Sequence, residues 1–106
     1  MTEITKGQAN VYADLGLPDA IPMQVKAALV AKIGEIMIER KLTQTQAALI
    51  LGLTQPKLSD LLRGQFRGIS EAKLIDCMNR LGRDVEIIVR RPSRVRGVGR
   101  TRVIFA

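Results

Sequence analysis

The apolar positions of this chain follow a helical period for most of its length and then change to a strand period. From Asp19 or Met23 to Lys41, Val25, Leu29, Val30, Ile33, Ile36 and Met37 cover much of a helix circumference. Lys32, Glu35 and Glu39 are left as a narrow polar stripe, so this helix is expected to be substantially buried. Ala47, Ala48 and Leu51 then mark a short helix opened by Thr43 as N-cap. Gly52 suits a sharp left-handed turn, and Leu53 seats it. Thr54 is a second N-cap, Pro56 falls in the next first turn, and Leu58, Leu61 and Leu62 form the inner face of the helix that follows. Ser70 caps a further helix to Leu81, with Leu74, Met78 and Leu81 inward, Cys77 on the flank of that stripe, and Gly82 as the stop. At Asp84 the pattern switches: Val85, Ile87 and Val89 alternate with Glu86, Ile88 and Arg90, which predicts a strand. A lone strand leaves its backbone groups unpaired, so its partner must be another chain or the tail, where Thr101 to Phe105 could form a second strand.

Two short capped helices joined at a glycine, with small Ala48 permitting a close steep crossing, read as a helix-turn-helix over residues 43–63. At 100° per residue, Pro56, Ser59, Asp60 and Arg63 lie opposite Leu58, with Lys57 on the flank and Thr54 and Gln55 at the exposed N-terminal tip. A recognition helix presents such a tip to base edges in the major groove. Gln pairs with adenine, Lys and Arg with guanine, Ser with either, and Asp with cytosine N4. Arg67, in the loop beyond, suits a phosphate contact. The alternative is an ordinary helical hairpin with a solvated polar face.

Composition sharpens this picture. A chain of 106 residues, 46% hydrophobic and 25% charged, is one folded domain in size and class. The net charge of +7 suits a polyanion, and Arg90, Arg91, Arg94, Arg96, Arg100 and Arg102 carry most of it, leaving +1 for residues 1–89. Two Phe, one Tyr and no Trp make stacking on single-stranded bases a poor fit. The single Cys77 cannot form an internal disulfide and reads as a core thiol in a reducing, cytoplasmic setting. No His is present, no nucleophile is paired with a base, and no glycine loop cradles phosphate, so neither an enzyme nor a cofactor or metal is expected. No apolar run is long enough to span a membrane. Residues 1–22 show no sustained period, and Pro18 and Pro22 interrupt any long helix there. They read as an arm with apolar anchors, which either covers its own core or binds a partner.

The arm NVYADLGLPDA, the core LTQTQAALILGLTQPKLSDLLRG and the exit LGRDVEIIVR resemble the Cro/cI-type (Xre) helix-turn-helix family, and within it the HigA-type antitoxins of bacterial toxin–antitoxin pairs. The resemblance covers residues 7 to about 91. It implies a protein that binds the operator of its own operon and neutralises a RelE-like, RNA-cleaving toxin. It also implies that Gln44 opens the first short helix near a phosphate, with Thr54, Gln55, Lys57 and Ser59 near bases. Leu49 and Ile50 depart from the pattern, because that outward face is commonly polar. Either the arm or a protein partner is expected to cover them.

The expected fold is therefore mainly α, a five-helix-type Cro/cI-like helix-turn-helix domain with a C-terminal β-strand that pairs with a second chain or with the tail. Residues 1–22 form the arm, 23–91 the DNA-binding domain and 92–106 the basic tail. The expected function is a homodimeric repressor of double-stranded DNA, acting as an antitoxin. A stand-alone Xre-type repressor and a protein-interaction module whose main partner is not DNA are the alternatives.

Overall fold

The structure, a computed structural model, describes residues 20–92 and 97–106, with side chains from Met23 onward. The expected arm anchors from Val11 to Asp19, and Arg94 and Arg96 of the tail, lie outside the described residues. Of the expected five-helix form, the described residues contain four helices: α1 (Ala20–Glu39), α2 (Gln44–Leu51), α3 (Gln55–Leu62) and α4 (Glu71–Arg80). The chain divides into compact units, one of which is Lys26–Val85.

The helix starts follow from local hydrogen bonding. Thr43 Oγ1 accepts from the Gln46 backbone N–H at 3.1 Å, and the Gln46 side chain accepts from the Thr43 N–H at 2.9 Å, a reciprocal capping box. Thr54 and Ser70 accept in the same way from the N–H groups of Lys57 (3.2 Å) and Lys73 (3.1 Å). Each satisfies one of the donors that a helix start leaves orphaned.

The helix ends share one device. Leu42, Leu53, Gln65 and Arg83 each donate a backbone N–H to the carbonyl five residues back, on Met37, Ala48, Asp60 and Met78. The residue before each donor has positive φ: Lys41 (54°), Gly52 (67°), Gly64 (93°) and Gly82 (85°). This is the Schellman closure, which needs a left-handed residue and therefore favours glycine. At the end of α1 the left-handed position is a lysine, so the helix stops at Glu39 rather than continuing to Lys41 as the apolar pattern suggested. A Cβ in that conformation costs about 1–2 kcal/mol. Lys41→Gly is accordingly expected to stabilise the chain by up to about 1 kcal/mol, after the larger entropy loss of glycine is subtracted. Gly52→Ala is expected to destabilise it by about 1–2 kcal/mol through the same backbone strain. A Cβ at Gly52 would also meet the Arg80 guanidinium at 3.2 Å, but that is the movable end of a flexible side chain. Denaturant midpoints that move in opposite directions for the two variants would bear this out; equal shifts of one sign would not.

The core joins all four helices. Ile33 and Ile36 of α1, Ala47 and Leu51 of α2, Leu58 and Leu61 of α3, and Leu74 and Cys77 of α4 are sealed from solvent. Ile69, between α3 and α4, is buried with them. α2 packs against both α3 and α4, and Ala48 is buried as the close crossing requires. Three contacts orient α1. Near its start Lys26 Nζ donates to the Arg67 carbonyl (2.8 Å), and at mid-length Gly34 lies against Leu62. Near its end Glu39 pairs with Arg83 (3.2 Å).

Cys77 is fully buried, and burial pushes its thiol above its ordinary pKa, with Lys73 opposing the shift only in second place. A thiol so held stays neutral and unreactive near neutrality. At pH 8 the native chain is expected to resist a thiol reagent that labels the denaturant-unfolded chain at once; equally fast labelling of both would contradict a core position.

The segment after Val85 differs from the expected strand. Among the described residues no strand forms, and Ile87 and Val103 are single bridge residues. The alternation does not become burial either: Val85 is half-buried, but Ile87, Ile88 and Val89 are 54%, 42% and 83% exposed. A period of two prepares a chain to pair but supplies no partner. No helix among the described residues is long and apolar enough to cross a membrane.

Candidate nucleic-acid interface

The interface candidate is built on α2 and α3. Leu58 and Leu61 anchor α3 by its inner face, which turns the opposite face outward. Thr54, Gln55, Pro56 and Lys57 at the start of α3 are exposed, Ser59 and Asp60 are half-buried, and Arg63 is exposed. Thr54 Oγ1 accepts from the Lys57 N–H as the cap, which leaves its O–H to donate to a ligand at the helix start. Pro56 sits in the first turn, where its missing N–H leaves no acceptor unmatched.

The tip of α3 lies beside the first turn of α2. Thr45 Oγ1 donates to Gln55 Oε1 at 3.4 Å, linking residues 10 apart in sequence. This places Gln44, half-buried as the first residue of α2, and exposed Thr45 beside the Gln55 side chain. The Gln55 amide nitrogen remains available as a donor, which is the group that would meet adenine N7. Thr45 was not among the residues singled out from sequence; only the crossing of the two helices brings it to Gln55.

Further along α3, Arg63 is not a free cation. Its Nη1 donates to Ser59 Oγ at 3.1 Å and its Nη2 to the Asp60 carboxylate. The spacings of four and three residues put the three side chains on one ridge of the helix. Ser59, Asp60 and Arg63, read separately from sequence, thus form one hydrogen-bonded unit. Arg67 is exposed in the following loop, and its carbonyl is held by Lys26.

A second polar cluster stiffens the turn between the two helices. Lys73 Nζ donates to the Leu51 carbonyl (3.4 Å) and to Asp76 (3.3 Å), and Arg80 Nε donates to Asp76 (2.8 Å). The hydrogen bonds from Arg80 first, and from Lys73 second, hold the Asp76 carboxyl below its ordinary value. The cluster therefore contributes above the ordinary carboxylate range, and its contribution is lost as pH falls through the lowered folded-state value. Neither this cluster nor the Gln46 half of the capping box was identified from sequence. The Thr-x-x-Gln spacing from Thr43 to Gln46 was the available signal for the latter.

Among the described residues of the helices, two large apolar side chains are strongly exposed. Leu49 is 85% exposed on α2 and Ile38 79% exposed on α1. Ile50, read from sequence as facing outward with Leu49, is half-buried.

Comparison with known proteins agrees with this geometry. The model of a family described as "Helix-turn-helix domain" matches residues 11–90. A solved structure described as an XRE family transcriptional regulator is similar at 36% identity and a TM-score of 0.79, over 84% of this chain and 100% of that one. No curated protein sequence matches.

Proposed function

We propose that this chain, which belongs to the XRE-type helix-turn-helix family, is a transcriptional repressor that reads double-stranded operator DNA with the N-terminal end of α3. The observation that carries the reading is the α2–α3 crossing itself. It presents Gln55 and Lys57 at an exposed helix tip while Leu58 and Leu61 are sealed in the core behind them. In this reading Thr54, Gln55, Lys57 and Ser59 approach bases, Gln44 and Arg67 approach phosphates, and Pro56, Asp60 and Arg63 complete the facing surface. The functional organisation is an arm (1–22), the DNA-binding domain (23–91, motif 43–63) and a basic tail (92–106). The protein acts on DNA in the cytoplasm, without catalysis or cofactor.

The finer reading is that of an antitoxin of the HigA type, which represses its own operon and neutralises a RelE-like toxin. Its support is the resemblance of the arm, core and exit segments, together with the exposed Leu49, an apolar side chain that a protein partner would bury. Footprinting on the protein's own promoter, with and without the product of the neighbouring gene, tests both levels. Protection by the chain alone is the expected result, altered when a small RelE-like neighbour is added. No protection would sink the repressor. Protection with no effect of the neighbour, and no rescue of toxin-expressing cells, would leave a stand-alone repressor.

One recognition helix reads only a few base pairs, so specificity calls for two half-sites about one helical turn apart. A two-fold homodimer supplies them. The exposed Ile87, Ile88 and Val89 favour the segment after Val85 as the seam, where antiparallel pairing with its mate would satisfy both backbones. Ile87→Pro removes a donor from that pairing and is expected to yield a monomer with weak operator binding. Sedimentation of this variant as an intact dimer would rule out the seam, and a monomeric wild type at micromolar concentration would rule out the dimer.

A further inference from the structure

The Ser59–Asp60–Arg63 unit on the outward face of α3 stands apart from the rest of that face, because it places a carboxylate where DNA phosphates would crowd. We propose that Asp60 is a specificity filter: it occupies the Arg63 guanidinium and withholds it from arbitrary phosphates, so that α3 engages strongly only where base contacts are also made. This rests on the DNA-binding reading above and deepens it.

The geometry supports an intramolecular competitor for phosphate. Arg63 directs one nitrogen to the Asp60 carboxylate and another to Ser59 Oγ (3.1 Å), so two of its donors are already used. An arginine fork offers several donors in fixed directions, and a carboxylate meets it as a phosphate would. Both side chains remain accessible, Arg63 at 61% and Asp60 at 44%, so an approaching phosphate can reach the pair and compete for it. The pair lies at the C-terminal end of α3, away from the Gln55 tip, where a contact would fall on backbone rather than on base edges. A phosphate contact there would add affinity for every sequence alike. Holding Arg63 on Asp60 suppresses that uniform term, and Ser59 fixes the guanidinium so that it does not swing to solvent.

The probe that tests this needs no known operator. Full-length wild type, Asp60→Asn, Arg63→Gln and the double variant are titrated onto a mixed-sequence duplex across a salt series. Both substituted positions lie at the surface, and thermal melts verify the folds. Freeing one arginine for one phosphate steepens the slope of log affinity against log salt by about 0.9. Asp60→Asn is therefore expected to bind the mixed duplex roughly threefold or more tightly at low salt, with the steeper slope. In the Arg63→Gln background the same substitution is expected to change little, since the cation it would release is gone. Unchanged binding by Asp60→Asn would overturn the proposal. So would an equal gain in both backgrounds, which would mean simple repulsion between Asp60 and DNA. A wild type that binds no duplex even at low salt would instead overturn the DNA-binding reading beneath it, and the filter with it.

Discussion

Replacing Gln55 and Lys57 together with alanine is expected to weaken specific operator binding at least about tenfold while leaving the fold intact. Both side chains are exposed at the start of α3, and neither contributes to the core. The Thr54 cap survives, because it uses the Lys57 backbone N–H and not its side chain. The Thr45 hydroxyl bond to Gln55 is also given up. A bidentate contact from glutamine to adenine or from lysine to guanine discriminates by about 1–3 kcal/mol, and every 1.4 kcal/mol is a factor of about ten. Salt must be held constant, since loss of the Lys57 charge also reduces the uniform phosphate term. A mixed-sequence duplex measured in parallel separates the two contributions: loss confined to the operator marks base reading. A double variant that footprints like the wild type would remove α3 from the recognition role.

Truncating Leu58 to alanine is expected to act on the fold rather than on the surface, with a loss of about 2–5 kcal/mol. Leu58 is wholly buried on the same helix that carries Gln55 and Lys57, among the sealed side chains of Leu51, Leu61 and Leu74. Removing its branched end leaves a cavity that rigid neighbouring helices only partly close. Domains are stable by only about 5–15 kcal/mol, so this is a large share of the total. At about 4–8 °C per kcal/mol for a domain of this size, the melting temperature should fall by roughly 8–40 °C. Operator binding would follow the folded fraction: normal when cold, absent near the lowered transition. Melting at the wild-type temperature would exclude Leu58 from the core and, with it, the orientation of α3. The Gln55/Lys57 and Leu58 variants together distinguish the two faces of one short helix, one lowering affinity at constant stability and the other the reverse.

Much of the architecture was legible because it is enforced locally. Thr43, Thr54 and Ser70 start helices by bonding to an N–H three residues on, a geometry set by spacing alone. Gly52 and Gly82 end them because a left-handed residue is needed there and glycine reaches it without strain. The apolar faces of α1, α3 and α4 were readable for the same reason: a helix puts residues three and four apart on one side, and only one side can be buried.

What depended on distant parts of the chain was not legible. Lys41 adopts a left-handed turn that its identity opposes and that no local pattern announces. Lys26 meets the Arg67 carbonyl 41 residues away, and Lys73 meets Leu51 at 22 residues' separation, contacts that exist only once α1 and α4 are in place. The candidate site divides in the same way. Gln55 and Lys57 could be assigned to a tip and Ser59, Asp60 and Arg63 to an outward face, because helix geometry settles direction. That Thr45 reaches Gln55, and that Arg63 is already held by Asp60 and Ser59, followed from side-chain positions that spacing permits but does not choose. The alternation from Val85 to Val89 marks the limit. It determined that this stretch is suited to pairing, yet the residues remain exposed, since a strand is completed only by a second strand that its own sequence does not contain.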